Sequence, residues 1–173
     1  MAITIPDWPD PASAEGEIFF SNAQSLFGAL STAKKTPAYC CGLIANFEAE
    51  SSLDPNAMGD HVNGEPTAFG MGQRHMARII AIRDGDRGVK GLGFDIAALA
   101  RAGKNTILNE VAATFWELDN FSFYGRAAIE AQTTAYMAAY QACALFERAG
   151  ATNAAERRGK MAERWTVYFA RKS

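Results

Sequence analysis

The sequence has few of the residues that define several common protein classes. Its 173 residues include three cysteines and two histidines. Cys40 and Cys41 are adjacent and Cys143 is distant, which is not the pattern of a disulfide framework, so we interpret all three as buried free thiols. His61 and His75 show no metal-ligand spacing, which argues against a metal enzyme. We therefore expect no metal and no cofactor.

Strong charge and long apolar runs are also missing. The formal net charge of −2 gives no basic patch of the kind that binds nucleic acid. No apolar run approaches the length of a membrane span, and the first residues lack the charged and apolar regions of a secretory signal. We expect a protein that binds no nucleic acid, does not insert into a membrane and reaches any substrate outside the cytoplasm by another route.

The length predicts one domain over residues 1–173, with residues 1–10 as a proline-containing arm. Apolar residues at helical spacing predict a mainly α fold. The sequence Asn63-Gly64 predicts a small β-hairpin within a loop over 51–73, and 84–93 reads as a Gly-rich connector. A capping box at Asn153 and Glu156 predicts the start of the last helix. The predicted helices cover 11–31, 36–50, 74–83, a stretch from about 107, 126–148 and a stretch from 153.

The helix that ends near Glu50 gives the strongest chemical signal. Breaking a glycosidic bond requires an acid that stays protonated near neutral pH, and burial against apolar side chains raises the pKa of a carboxyl group. Glu48 also lies among apolar neighbours, but Glu50 is at the mouth of the following loop, where a substrate can reach it. We predict Glu50 as the catalytic acid. The alternative is a solvated or salt-bridged glutamate that ends a helix.

The sequence leaves a second carboxylate open. Asp60 and Glu65 flank the predicted hairpin, where an inverting glycosidase would place its base roughly 6.5–9.5 Å from the acid. We favour Asp60, whereas Asp54 precedes a proline and is interpreted as a turn cap. Without a base, the 6-hydroxyl of the sugar attacks the anomeric carbon, which is the lytic transglycosylase reaction.

A loop and several aromatic residues are candidates for substrate binding. The loop is Phe69-Gly-Met71-Gly-Gln73, and we expect these three side chains to line a sugar site. Trp116 and Tyr124 lie near a predicted helix end, where aromatic rings can stack on sugars. Trp165, Phe169 and Phe115 are instead interpreted as core packing because they fall at helical spacing.

The order of these motifs resembles the lysozyme-like superfamily, and within it the phage tail lysozymes and their lytic transglycosylase relatives. In those families a helix ends in Glu-Ser, an Asp/Asn-Pro-x-Ala turn follows, and a Gly-x-x-Gln loop comes later. The matching segments are Glu50-Ser51, Leu53–Ala57, Gly70–Gln73, Phe115–Leu118 and Phe146–Gly150. The resemblance extends over roughly residues 20–165.

The resemblance implies a mainly α, lysozyme-like α+β fold with a small hairpin beside the catalytic cleft, and cleavage of peptidoglycan glycan strands. It implies that Glu50 is the catalytic acid, that Ser51 supports it and that Gln73 lines the cleft. Arg74-His75 stands where the family commonly has Trp, so a sugar-stacking platform is expected to be missing or displaced. The implied location is a phage virion or the host cytoplasm before release, with other virion proteins as partners.

Two rival interpretations come from other protein classes. Cys40 and Cys41 near a helix start, with His75, resemble the site of papain-like cell-wall peptidases, in which the thiolate is the nucleophile. The β-rich segments of such a peptidase are absent from the predicted elements. The other rival is a structural virion protein that keeps the lysozyme fold without activity.

Overall fold

A computed structural model describes residues 6–147 and 150–172. The chain is mainly helical, with two small antiparallel sheets, as the sequence predicts. The helices are α1 (Ala14–Thr32), α2 (Pro37–Ser51), α3 (Met76–Asp84), α4 (Ile96–Arg101), α5 (Ile107–Asn120), α6 (Arg126–Glu130), α7 (Ala135–Gln141) and α8 (Ala154–Ala170). A 3₁₀ turn covers Ser122–Tyr124, and a π-helix covers Ala142–Glu147.

The strands lie between α2 and α4. The first sheet has the order β1 (Met58–Val62), β2 (Glu65–Phe69) and β3 (Arg74–His75), and the second pairs β4 (Gly85–Asp86) with β5 (Val89–Lys90). Asn63 and Gly64 both have positive φ and connect β1 to β2, which confirms the predicted hairpin.

Helix α2 is at the centre of the larger core. Thr36 caps its start by accepting a hydrogen bond from the backbone N–H of Tyr39, and Pro37 occupies the first turn, where its missing N–H costs nothing. Residues 39–48 of α2 are all buried, and the helix packs against α1, α7 and α8. A helix that is apolar on most sides is stable only when covered in this way.

A second, smaller core lies under the hairpin. It joins apolar residues of β2, α3, α4 and α5, among them Phe69, Ile79, Ile96 and Trp116. Helix α5 contributes to both cores, because Val111 and Leu118 face the larger one. The hairpin and the α2 bundle are therefore held in place by a shared helix.

Several predicted boundaries are wrong. The expected long helix over 126–148 is divided into α6, α7 and the π-helix, because the polar turn at residues 132–134 interrupts it; Arg148 lies outside the described residues. Asn153 precedes α8, but its side chain makes no capping bond and its φ is +63°, so the predicted capping box is absent. The 84–93 connector contains the β4–β5 pair. Helix α4 lies in a region that the sequence predicts as helical, but no bounds were predicted for it.

The described part of the N-terminal arm packs on the bundle. Trp8 lies against Phe20 and Trp165, with ring centroids 5.4 and 4.4 Å away. Trp165, Phe115 and Phe169 belong to or pack against the larger core, as predicted. None of the described helices combines the length and the apolar character that crossing a bilayer requires.

Candidate active site

Glu50 lies in the last turn of α2, where the chain leaves the helix. Ser52 and Leu53 both adopt the left-handed conformation, with φ of 53° and 63°, and turn the chain away from the helix axis. The fully buried Leu53 side chain anchors this turn, and Asn22 of α1 donates a 3.0 Å hydrogen bond to its carbonyl. The turn thus leaves Glu50 at the edge of the core with its side chain 23% exposed.

The carboxylate of Glu50 is held by a buried arginine of α8. Arg158 donates from Nη2 to Glu50 Oε1 and from Nη1 to Asn46 Oδ1, the latter over 2.9 Å. Asn46, one turn before Glu50, also donates to the carbonyls of Gly42 and Ala139. The salt-bridged glutamate considered from the sequence is therefore present, and its partner comes from the far end of the chain.

Glu48 has a different environment. Its carboxylate accepts hydrogen bonds from Trp8 Nε1, Arg164 Nη2 and Trp165 Nε1 at 3.0, 2.7 and 2.7 Å. Burial raises the pKa of Glu48, against the opposing effect of Arg164. Three donors occupy this group, which ties the arm to α8, so Glu48 is a structural residue.

A further carboxyl group lies close enough to Glu50 to interact with it electrostatically. Glu147 ends the π-helix, and its Oε1 is buried without a hydrogen-bond partner among the described residues. Burial raises the pKa of Glu147 from its ordinary 4.5 to about 7; the positive charge of Arg78 opposes the rise and the negative charge of Glu50 adds to it. Glu147 is therefore partly protonated near neutral pH.

Arg74 anchors the loop of Gln73 to α5. Its side chain is fully buried and donates to Glu117 Oε2 over 2.8 Å, to Glu110 Oε2 over 2.5 Å and to Thr114 Oγ1 over 2.7 Å. The other oxygen of Glu117 accepts from Arg78 Nε at 2.6 Å. Arg74 thus serves as the centre of a buried ion-pair network, and its side chain offers no exposed surface for a sugar.

The same network reaches the turn after Glu50. Asn105 donates from Nδ2 to Glu110 Oε1 and to the carbonyl of Pro55, at 2.6 and 2.7 Å, and its N–H donates to Asn56 Oδ1. Asp54 caps this turn, as predicted, by accepting from the N–H of Asn56. One set of polar residues therefore fixes both loops that follow α2.

Gln73 packs on the hairpin. It has φ of 42°, its Nε2 donates to the carbonyl of Gly70 over 2.9 Å, and its Oε1 lies against Gly59. A Cβ at position 59 would overlap that oxygen, and one at position 70, where φ is +75°, would overlap Glu110. Glycine is required at position 70 because its φ is positive, whereas a side chain at position 59 would force the Gln73 amide to move.

These observations can be compared with known proteins. The model of the phage tail lysozyme family matches residues 21–169. The chain belongs to the phage tail lysozyme family. No curated protein matches it. The family assignment supports a peptidoglycan-degrading, lysozyme-like function, and it agrees with the mainly helical α+β fold.

Membership in the phage tail lysozyme family does not assign roles to individual residues. The structure shows where the predicted site residues lie. Ser51 lies next to Glu50, and its Oγ donates to the carbonyl of Phe47 within the same helix. Asp60 is exposed near the end of the hairpin, where its carboxylate lies 3.4 Å from His75 Nε2. Glu50 is hydrogen-bonded to Arg158 and Asp60 is paired with His75, so the two predicted catalytic carboxylates have separate partners.

The predicted apolar and aromatic contacts lie mostly inside the protein. Phe69 and Met71 are fully buried in the two cores, so their side chains have no surface for a sugar in this conformation. Trp116 is nearly buried and donates from Nε1 to the carbonyl of Lys90. Tyr124 is also nearly buried and packs against Phe146. These four residues support the loops, and direct sugar contact by any of them stays a prediction.

The cysteines do not fit a peptidase site. Cys40 and Cys41 are buried within α2, and burial raises the pKa of both thiols to about 11. A catalytic cysteine needs a thiolate near neutral pH. His75 is exposed on β3 and contacts the carbonyl of Thr67 and the carboxylate of Asp60. Within residues 6–147 and 150–172, no cluster of His, Cys, Asp or Glu has the makeup of a metal site.

Arg158 and Glu147 were not predicted as site residues, although the sequence gives a reason to consider each of them. Arg158 falls three and seven residues before Met161 and Trp165, and so lies on the buried face of α8. A charged residue on such a face requires a partner. Glu147 lies in the Phe146–Gly150 segment that carried part of the family resemblance, of which Arg148 and Ala149 are outside the described residues.

Proposed function

We propose that this protein is a glycosidase that cleaves the glycan strands of peptidoglycan, with Glu50 as the general acid. The observation that supports this most is the contrast between the two acidic residues at the end of α2. Glu48 is buried and bound by three donors, whereas Glu50 is partly exposed at the turn and is held by one arginine. A general acid needs both a fixed position and access to the leaving oxygen.

The arrangement suits protonation of a glycosidic oxygen. Arg158, which Asn46 holds in place, fixes the carboxyl group of Glu50, so a sugar that enters along the turn after α2 meets it in one orientation. Gln73 and the backbone of its loop would orient the acetamido sugar, because the Arg74 network holds that loop rigidly on α5. If the reaction is hydrolysis by inversion, Asp60 is the proposed base.

Lytic transglycosylation is the second candidate. It requires one catalytic carboxyl group, and the carboxyl group that shares the environment of Glu50, Glu147, has a buried Oε1 and is therefore poorly placed to activate bulk water. In that case the 6-hydroxyl of the sugar replaces water as the nucleophile.

Mass spectrometry of the muropeptides released from purified peptidoglycan tests the proposal. We expect the wild type to release reducing-end sugars, Glu50→Gln to lose activity by about 100-fold or more, and the exposed control Glu163→Gln to keep it. Anhydro ends, lighter by one water, would establish transglycosylation. Equal activity of Glu50→Gln and wild type would overturn the acid assignment. Cut peptides with intact glycan would overturn the glycosidase as a whole.

A further inference from the structure

Charged side chains from four elements act on Glu147. They are Glu50 from α2, Arg74 from β3, Arg78 from α3 and Arg158 from α8. Glu147 itself ends the π-helix, which packs on α2, α7, α8 and the 3₁₀ turn. A π-helix is an uncommon element that occurs frequently at functional sites.

The charges in this group do not balance when every acid is ionised. Three guanidinium groups, on Arg74, Arg78 and Arg158, face four carboxyl groups. Three of the acids are hydrogen-bonded to these arginines: Glu110 and Glu117 to Arg74, Glu117 also to Arg78, and Glu50 to Arg158. The fourth, Glu147, makes no ion pair among the described residues. One proton on Glu147 makes the group neutral.

The hydrogen bonds also indicate that Glu147 is the carboxyl group that holds the proton. Arg158 uses both terminal nitrogens on Asn46 and Glu50, while Arg158 Nε, Arg78 Nη2 and Glu147 Oε1 are buried without partners in the part of the chain that the structure describes. The arginines thus attract Glu147 but give its Oε1 no hydrogen bond. An ionised carboxylate in that position would have an oxygen desolvated without compensation.

We propose that Glu147 is the proton-holding partner of Glu50: the two carboxyl groups bind one proton between them, which lies on Glu147 in the resting enzyme and passes to Glu50 for the cleavage. This inference rests on the proposed role of Glu50 as general acid. It resolves a conflict in the site, because an acid that is bound to Arg158 as a carboxylate needs a source for the proton that it donates. Glu147 is a positioning residue, since it supplies Glu50 and does not touch the sugar.

The proton balance is simple. Glu147 gives its proton to the Glu50 carboxylate, and Glu50 gives it to the glycosidic oxygen as the bond from that oxygen to the anomeric carbon breaks, with the bonding electrons staying on the oxygen. The attacking water or 6-hydroxyl then forms the new bond to the anomeric carbon and releases one proton. That proton returns to the Glu50–Glu147 pair and restores the resting state.

Coupling between the two carboxyl groups can be measured without any substrate. In protein labelled with ¹³C at the glutamate carboxyl carbons, we expect the Glu147 signal, assigned by its loss in Glu147→Gln, to titrate with a midpoint near 7. Glu50→Gln removes the neighbouring negative charge and should lower that midpoint, whereas Glu163→Gln should leave it in place. An unchanged midpoint in Glu50→Gln, or a wild-type midpoint below about 5, would overturn the proposal.

The pH profile of glycan cleavage gives the functional test. We expect wild-type activity to fall as the pH rises through about 7, because the pair then loses its shared proton. Glu147→Gln should cost roughly tenfold or more at pH 6 and lose this alkaline limb, and Glu147→Asp should restore it in part. A Glu147→Gln enzyme with the wild-type rate and profile would contradict the proposal.

The two tests separate this inference from the proposed function. If Glu50→Gln stays active but still shifts the Glu147 titration, the acid assignment fails while the coupling stands. If Glu50→Gln is inactive but leaves the titration unchanged, the proton-sharing proposal fails alone. The melting temperature of each variant shows that it is folded.

Discussion

The Arg158 guanidinium binds the Glu50 carboxylate and the Asn46 side chain at the same time, although Arg158 and Glu50 are 108 positions apart in the sequence. Asn46 in turn donates to the carbonyl of Ala139 on α7. One polar chain therefore joins α2, α7 and α8 directly behind the proposed acid. The orientation of Glu50 is decided by the packing of three helices, and small changes in that packing should change activity.

Arg158→Lys tests this relationship. Lysine keeps the charge but has one nitrogen, so it cannot hold Glu50 and Asn46 in the geometry of the guanidinium. We expect a fall in glycan cleavage of roughly 10- to 100-fold with the fold retained, because misplacing an acid slows the chemical step. Arg157→Lys, one position away and exposed, is the matched control. Full activity in Arg158→Lys would show that the pair does not position the acid.

Asp60→Asn tests the proposed base. The Asp60 side chain is 70% exposed and pairs with His75, so the substitution should leave the melting temperature unchanged. If Asp60 activates water, release of reducing ends should fall by about 100-fold, which is typical for loss of a general base. Glu65→Gln tests the alternative base on the other strand of the hairpin, and the exposed Glu163→Gln serves as the control. Retained hydrolysis in Asp60→Asn would exclude it as the base.

Arg74→Met tests the network under the Gln73 loop. The substitution leaves Glu110 and Glu117 buried without their main positive partner, and breaking such a pair costs roughly 3–5 kcal/mol of unfolding free energy. Arg83→Met removes two surface pairs, with Asp84 and Asp95, and should cost much less. Urea denaturation at pH 7 measures both. Equal losses in the two variants would mean that the buried network contributes no more than a surface pair.

Glu147→Gln should stabilise the protein above neutral pH. The pKa of Glu147 is about 7 in the folded chain and near 4.5 when unfolded, so the folded state binds more protons between these values. Its contribution to the unfolding free energy therefore falls as the pH rises from about 4.5 to 7, by on the order of 3 kcal/mol. We expect the melting temperature of Glu147→Gln to exceed that of wild type at pH 8, with little difference at pH 4.5. A gain independent of pH would contradict this.

Local signals predicted the main elements because those elements depend on neighbouring residues. Thr36-Pro37 fixes the start of α2, and Asn63-Gly64 fixes the hairpin turn through its own backbone conformation. The start of α8 at Asn153 was predicted correctly, but the interruption between α6 and α7 and the missing capping bond of Asn153 were not. The residues of α6 and α7 are mostly helix formers, so helical spacing alone did not show where the polar turn at 132–134 ends the helix.

The family and the candidate acid could also be predicted from the sequence, because the motif around Glu50 is short and contiguous. The environment of the Glu50 side chain could not be predicted. Whether Glu50 or Glu48 is free to act depends on Trp8, Arg164 and Trp165, which meet only in the folded chain. Phe69 and Met71 were expected to line a sugar site. Their burial likewise depends on residues that are distant in the sequence and meet only in the folded chain.

The sequence by itself determined the helical composition, the hairpin, the phage tail lysozyme family and the position of Glu50 at the end of a helix. These follow from periodicity, turn residues and motif order, all of which are properties of the linear chain. Only the tertiary structure decided that Arg158 holds Glu50 and that Glu147 lies beside them with a raised pKa. Ion pairing and desolvation depend on distance and burial, which the order of residues does not specify.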